Sequence, residues 1–122
     1  MVRIYLASPY TSTSEAVMHE RYEAALDAVA YLQTTIPDVI VYSAIVHWHP
    51  VAAKHRLPRD VSYWKTLNAE MIVWATKLRV LLIEGWKSSI GVQDEIKQAQ
   101  YLLKPVEGLL WKCVDDWASG LR

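Results

Sequence analysis

The sequence has little of several features that would point to common classes of protein. Cys113 is its one cysteine, so no disulfide can form within the chain, which fits a reducing compartment such as the cytoplasm. The 13 basic and 13 acidic side chains cancel, so no large electrostatic field is available to hold a nucleic-acid backbone. No apolar run approaches membrane-spanning length. We therefore expect a cytoplasmic protein that binds a small molecule, not a nucleic-acid polymer or a membrane.

The aromatic residues are also unevenly distributed among the three types. The chain has six tryptophans and seven tyrosines but no phenylalanine. Trp and Tyr combine a ring with a polar group and are common in pockets and interfaces, although many must still pack in a core. With 52% hydrophobic residues over 122 positions, the composition predicts one folded domain that spans residues 1–122.

The hydrophobic pattern predicts strands that alternate with helices. Strands are expected over residues 2–7, 39–42 and 78–83, with a fourth that begins near 105, and helices over 15–34, from 60 or 62 to 75, 89–103 and 112–118. Between residues 43 and 59, Pro50 and Pro58 predict irregular chain without a long helix. This order predicts an α/β fold: a single doubly wound parallel sheet, flavodoxin-like or Rossmann-like, of about four to five strands.

The stretch from Ser88 to Glu95 follows the third predicted strand and opens a helix. A helix N-terminus offers unpaired N–H groups and the positive end of a dipole, which favour an anion. Gly91 would let a ligand approach the backbone closely, and Glu95 lies about one turn further on, leaning back toward the same end. The plainer interpretation is a capped surface helix with a solvated glutamate.

The predicted topology would bring several polar segments together. Ligands of doubly wound folds bind beyond the carboxyl ends of the strands. That edge would collect residues 8–14, 43–50 and 84–95, each of which follows a predicted strand. The convergence favours Glu95 as a functional residue over a solvated one.

Taken together, the motifs resemble the nucleoside 2-deoxyribosyltransferase superfamily, which includes 2′-deoxynucleoside 5′-monophosphate N-glycosidases, and in particular its small phage and bacterial members. Tyr5-Leu6-Ala7-Ser8-Pro9 is similar to the Tyr-Leu-Ala-Gly-Pro-like end of the family's first strand. Gly91-Val92-Gln93-Asp94-Glu95 is similar to its Gly-Val/Leu-x-x-Glu element. A helix that feeds an apolar strand, residues 68–83, lies between them as in the family. The resemblance covers about residues 2 to 106.

The resemblance implies N-glycosidic bond cleavage in a nucleoside or nucleotide. Glu95 would attack C1′ of the sugar to form a glycosyl-enzyme ester, which water or a second base then resolves, hydrolysis being favoured over transfer. Tyr5 would orient the glutamate, and Ser89 would lie near the 5′ group of the sugar. No cofactor is implied, and a homodimer is expected by analogy. Because Glu95 must stay ionised, we expect hydrogen-bond donors to hold it.

The remaining substrate-binding candidates come from loops. Two segments are candidates to bind a phosphate. One is the start of the helix after the third predicted strand, which includes Ser88, and the other is the loop of Ser8, Pro9 and Tyr10. His47 and His49, at i and i+2 of an extended segment, would point to one side, and His47 or His49 would donate to base, sugar or phosphate; the alternative is a packed or surface histidine pair. They have no clear third ligand, which disfavours a metal site. Three tryptophans are candidates to stack on a base, with core packing or a subunit contact as the alternative: Trp48, Trp64 and Trp86.

One position departs from the family pattern. Asn68 stands where the family usually has an aspartate that contacts base or sugar, and an amide cannot give or take a proton there. Asp60, Asp94 or a water would have to supply that function. Alternatively, the protein is a non-catalytic nucleotide-binding or ADP-ribose-type binding module. A third hypothesis, a structural or interaction protein, is favoured by the many tryptophans and the zero net charge.

Overall fold

The computed structural model describes residues 1–59 and 61–121. Within them, four strands form one sheet and five helices flank it: β1 (Val2–Ala7), α1 (Glu15–Thr35), β2 (Val39–Ser43), α2 (Ala44–His55), α3 (Val61–Trp74), β3 (Lys77–Leu82), α4 (Ile90–Tyr101), β4 (Val106–Leu110) and α5 (Trp111–Ser119). The strand order is β2-β1-β3-β4, and every pairing is parallel. The predicted α/β parallel sheet is therefore confirmed.

Both faces of the sheet are buried because side chains alternate along each strand. In β1, Ile4 and Leu6 belong to a core cluster with residues of α1, β2 and α5. Tyr5 and Ala7 belong to a second cluster with residues of α3 and α4. This period of two, with apolar residues on both faces, is what a central parallel strand requires.

The segment expected to be irregular is instead helix α2, so that prediction was wrong. The Ser43 hydroxyl caps the helix by accepting a hydrogen bond from the amide of Val46 at 3.2 Å, as a good N-cap residue does. Pro50 lies inside the helix, where a proline removes one backbone hydrogen bond and clashes with the preceding turn. Burial of Ala52 (1% exposed) anchors this helix in the fold.

Helix α3 confirms part of its predicted apolar side. The sequence predicts Tyr63, Leu67, Met71, Ile72 and Trp74 on that side; Ile72 is buried and Met71 and Trp74 pack against the core, whereas Tyr63 and Leu67 are 50% and 47% exposed. The inward side also contains Trp64, two helical turns before Ile72. Asn68, a polar residue, lies between them, and its amide oxygen is buried. The prediction was therefore wrong for Tyr63 and Leu67, in the half of the helix where Asn68 interrupts the apolar stripe.

Lys104 closes the C-terminal end of α3. Its Nζ donates to the carbonyl oxygens of Ile72 at 2.7 Å, Val73 at 2.5 Å and Ala75 at 2.6 Å. The last carbonyls of a helix have no partner within the helix, and a cation there also complements the helix dipole. The connection before β4 therefore fixes the end of the helix that carries Asn68.

Replacing this lysine should destabilise the domain. We expect Lys104→Met to lower the free energy of unfolding by about 1–3 kcal/mol, the usual range for losing hydrogen bonds to a charged group. Urea unfolding followed by circular dichroism measures the loss. Lys97→Met, at an exposed position of α4, is the control and should change stability little. Equal unfolding midpoints for the two variants would contradict the capping role.

The C-terminal segment packs on the domain itself. Val114 of α5 is fully buried, and the rings of Trp117 and Tyr31 lie 5.8 Å apart in an edge-on arrangement. Within residues 1–59 and 61–121, none of the helices combines the length and hydrophobicity needed to cross a bilayer.

Candidate active site

A cavity of about 480 Å³ lies at the carboxyl edge of the sheet. Its size is within the range of small-molecule sites. Its walls come from the loop after β1, from α2, from α3 and the residues before it, and from the start of α4. The lining residues used below are Ser8, Tyr10, Thr11, Trp48, His49, Arg59, Trp64, Lys65, Asn68, Ser88, Ser89, Gly91, Asp94, Glu95 and Gln98.

Glu95 lies in the second turn of α4, and its side chain lines the cavity. Ser89 caps that helix by accepting a hydrogen bond from the amide of Val92 at 3.2 Å. One Glu95 carboxylate oxygen accepts a hydrogen bond from the hydroxyl of Tyr5, a β1 residue with no exposed surface. Strand and helix therefore fix the carboxyl group from two sides.

The electrostatics of this pair are set mainly by burial. Loss of solvation raises the pKa of Glu95 to about 8; the hydrogen bond from Tyr5 opposes this shift and the charge of Asp94 adds to it. Burial, and then the nearby Glu95 charge, also raise the pKa of Tyr5 well above its usual value, so Tyr5 stays a donor. Among the described residues no second donor bonds the carboxyl group. Of the donors expected to hold Glu95, Tyr5 is therefore in place, while burial keeps the pKa of the carboxyl group above neutrality.

Aromatic rings form one wall of the cavity. Trp48 and Trp64 are stacked with ring centroids 4.4 Å apart. Trp48 donates its indole N–H to the hydroxyl of Tyr42 at 3.2 Å, and Trp64 donates to the carbonyl of Pro58 at 2.8 Å. Both rings are held rigidly, as a surface for stacking a planar ligand requires.

A second polar group lies at the rim of the cavity. The hydroxyl of Tyr10 contacts Nδ1 of His49 at 2.5 Å, and the ring of Tyr22 stacks on that histidine at 4.2 Å. Burial, followed by the charge of Arg59, lowers the pKa of His49. A neutral imidazole there can accept from Tyr10 through one nitrogen and carry its proton on the other.

Two buried polar atoms of the cavity lack a partner. They are the hydroxyl oxygen of Ser8 and the side-chain carbonyl oxygen of Asn68, neither of which bonds another described residue. Buried polar atoms are nearly always hydrogen-bonded in native proteins. Both residues line the cavity, so a bound ligand or water is the natural partner for each.

The structure brings most of the predicted site residues together. Eight of them line the cavity: Ser8, Tyr10, His49, Asn68, Ser88, Ser89, Gly91 and Glu95. Tyr5 reaches it through its bond to Glu95. The other three predicted residues do not line this cavity: Pro9, His47 and Trp86.

Those three residues have structural explanations. Pro9 is fully buried, and Trp86 packs against the core cluster of α3 and α4, which is the alternative stated for it. His47 is exposed on α2. Because α2 is helical, His47 and His49 point about 200° apart, which corrects the prediction that they face one side. Asp60, a suggested proton donor, lies outside the described residues.

Other cavity residues were missed by the sequence analysis. Arg59 and Lys65 bring positive charge to the cavity, and Gln98 donates to the carboxylate of Asp94 at 2.9 Å. The i, i+4 spacing of Asp94 and Gln98 could have revealed that pair. Arg59 had no such local signal. Among the described residues, no three His, Cys, Asp or Glu side chains come together as potential metal ligands.

The fold and the site define an α/β domain with an enclosed glutamate facing a cavity at the carboxyl edge of its sheet. A family model described as "Domain of unknown function (DUF1937)" matches residues 2–112, so the chain belongs to that family. No curated protein sequence matches the chain.

Proposed function

We propose that the protein cleaves the N-glycosidic bond of a nucleoside or nucleoside 5′-monophosphate, with Glu95 as the nucleophile. The observation that carries the proposal is the Glu95 carboxyl group, held by Tyr5 and facing a cavity of nucleotide size. A bond forms between the carboxylate oxygen and C1′ as the C1′–N bond breaks, and the base leaves with the electron pair and gains a proton. Water then hydrolyses the ester, releasing the sugar and restoring the carboxylate.

The raised pKa of Glu95 is compatible with this role. At pH 7 a group with a pKa of about 8 is ionised in about a tenth of the molecules. The ionised fraction is poorly solvated and therefore reactive toward the cationic C1′ of the transition state, whose charge it neutralises. Tyr5 keeps one carboxylate oxygen fixed, which leaves the other for attack.

The rest of the cavity can position the base. The stacked Trp48 and Trp64 offer an aromatic surface, and the unpartnered oxygen of Asn68 can accept a hydrogen bond from an N–H of the base. Neither residue can protonate the leaving group. Asp94 lines the cavity, but its carboxylate is engaged by the side-chain amide of Gln98 at 2.9 Å. Water in the cavity is therefore the proton source in this proposal.

A second candidate function is favoured by Asn68. An amide in place of an acid suits a module that binds a nucleotide without cleaving it, and a protonated Glu95 would then serve as a hydrogen-bond donor. This alternative predicts ligand binding without release of base. Transfer of the sugar to a second base and assembly as a homodimer also stay predictions.

Chromatography of free base tests the proposal. The wild type is incubated with a panel of nucleosides and 5′-monophosphates beside Glu95→Ala, with Glu70→Ala, an exposed acid of α3, as the control. We expect release by the wild type and the control, and a loss of about a thousandfold or more in Glu95→Ala, as for removal of a nucleophile. Adding a second base separates transfer from hydrolysis. No release from any substrate by folded wild type would contradict the proposal.

A further inference from the structure

Arg59 places a guanidinium group on the wall of the cavity. Its two terminal nitrogens donate to the two carboxylate oxygens of Glu15, one of them at 3.1 Å. The Tyr10 side chain also interacts electrostatically with the guanidinium, and both residues line the cavity. Arginine presents donors in the planar geometry that a carboxylate or phosphate accepts through two oxygens at once.

The two members of this ion pair differ in their surroundings. The Arg59 side chain is 24% exposed and lines the cavity, whereas the Glu15 side chain is 73% exposed and is not among the lining residues. Exposed ion pairs contribute little net free energy, because water solvates the separated carboxylate well. Glu15 can therefore leave the guanidinium at low cost, while Arg59 stays in place.

The neighbouring loop offers a further donor without a partner. Ser8 is buried, and its hydroxyl oxygen bonds no other described residue. The same loop meets Arg59 where the Thr11 hydroxyl donates to the Arg59 carbonyl oxygen at 3.4 Å. Arg21 donates to the carbonyl oxygens of Tyr10 and Thr11 at 3.3 and 3.0 Å, which fixes the loop. An anion between this loop and Arg59 would give the Ser8 hydroxyl an acceptor.

We propose that Arg59 recognises a phosphoryl group of the ligand, and that Glu15 occupies the guanidinium until that group displaces it. A phosphate monoester carries nearly two negative charges at neutral pH and three acceptor oxygens, so it competes well against one exposed carboxylate. The inference rests on the proposed function for the rest of the ligand. It selects nucleoside 5′-monophosphates over nucleosides and makes Glu15 an intramolecular competitor for the same donors.

Equilibrium binding of ribose 5-phosphate, with ribose as the comparison, tests this without any need for catalysis. By isothermal titration calorimetry, Arg59→Gln should weaken ribose 5-phosphate binding by about tenfold or more, as expected for lost charge-assisted hydrogen bonds. Glu15→Gln should tighten it by about two- to fivefold, the scale of an exposed ion pair. Glu20→Gln, an exposed acid of the same helix, should leave it unchanged, and ribose should bind all variants alike.

The opposite signs of the two effects make the experiment decisive. A misfolded variant can lose affinity but cannot gain it, so tighter binding by Glu15→Gln supports the competition directly. Arg59-independent binding, or a wild type that does not bind ribose 5-phosphate, would overturn the inference. If Arg59-dependent binding is found and no nucleotide releases its base, the inference stands and the glycosidase proposal fails.

Discussion

The rate of base release at low substrate concentration is expected to rise about tenfold per pH unit from pH 5 to pH 7 and to level off above pH 8. The reason is that only ionised Glu95 can attack C1′, and burial raises the pKa of this carboxyl group to about 8. The pH dependence of kcat/KM reports the essential groups of the free enzyme. A profile already flat at pH 5 would contradict the assignment.

Tyr5→Phe supplies the matched control for this profile. Its hydroxyl donates to Glu95 and lowers the pKa of that carboxyl group, so removing it should move the inflection to higher pH. The ring that packs in the core is retained. A phosphate monoester titrates near pH 6, but that step belongs to the substrate and is the same for both proteins. A variant that lost rate without moving the inflection would argue that Tyr5 is merely structural.

A second large effect is expected on stability, because Glu95 is costly to ionise in the folded state. Between its ordinary pKa of 4.5 and its folded value of about 8, the carboxyl group holds a proton in the folded protein and loses it in the unfolded chain. The folded state thus binds more protons, so the free energy of unfolding falls as pH rises. The contribution of Glu95 to the free energy of unfolding is fully present below pH 4.5 and is lost as the pH rises through 8.

Glu95→Gln removes this titration while keeping an oxygen that accepts from Tyr5. We expect its free energy of unfolding, relative to the wild type, to increase from pH 5 to pH 8 by up to a few kcal/mol, since one pKa unit is worth about 1.4 kcal/mol. Urea unfolding at four pH values measures this difference, and Glu70→Gln is the exposed control. Any pH-independent change in the free energy of unfolding caused by the new amide cancels when the differences at pH 5 and pH 8 are compared. A difference independent of pH would show that Glu95 titrates normally.

The parts of the fold that depend on local pattern could be predicted from the sequence. β1 was predicted at the bounds observed, because its mainly apolar run ends at the polar loop that begins with Ser8 and Pro9. Helix α2 was not predicted, since burial of Ala52 and the cap from Ser43 support a helix that Pro50 disfavours. In α3, Ile72 was placed correctly, but Asn68 interrupts the apolar stripe and obscured the inward position of Trp64.

In the candidate site, too, residues with a local sequence signal were predicted, and residues that depend on tertiary contacts were not. Glu95 was found because serine, glycine and glutamate at the start of a helix carry a local signal. Arg59 was not found, because its significance arises from an ion pair with Glu15, 44 positions away. Contacts of that kind depend on tertiary packing and leave no trace in spacing. His47 was misassigned because the stretch from His47 to His49 was taken as extended, whereas it lies in helix α2.

The pairing of Tyr5 with Glu95 has a consequence for synthesis of the chain. The two residues are 90 positions apart, and translation at about 5–20 residues per second separates their emergence by roughly 5 to 18 s. During that interval β1, a central strand, also lacks its neighbour β3. A nascent fragment therefore has neither a complete sheet nor a carboxylate aligned for attack. On the proposed function, activity can therefore appear only after the chain as far as Glu95 has left the ribosome.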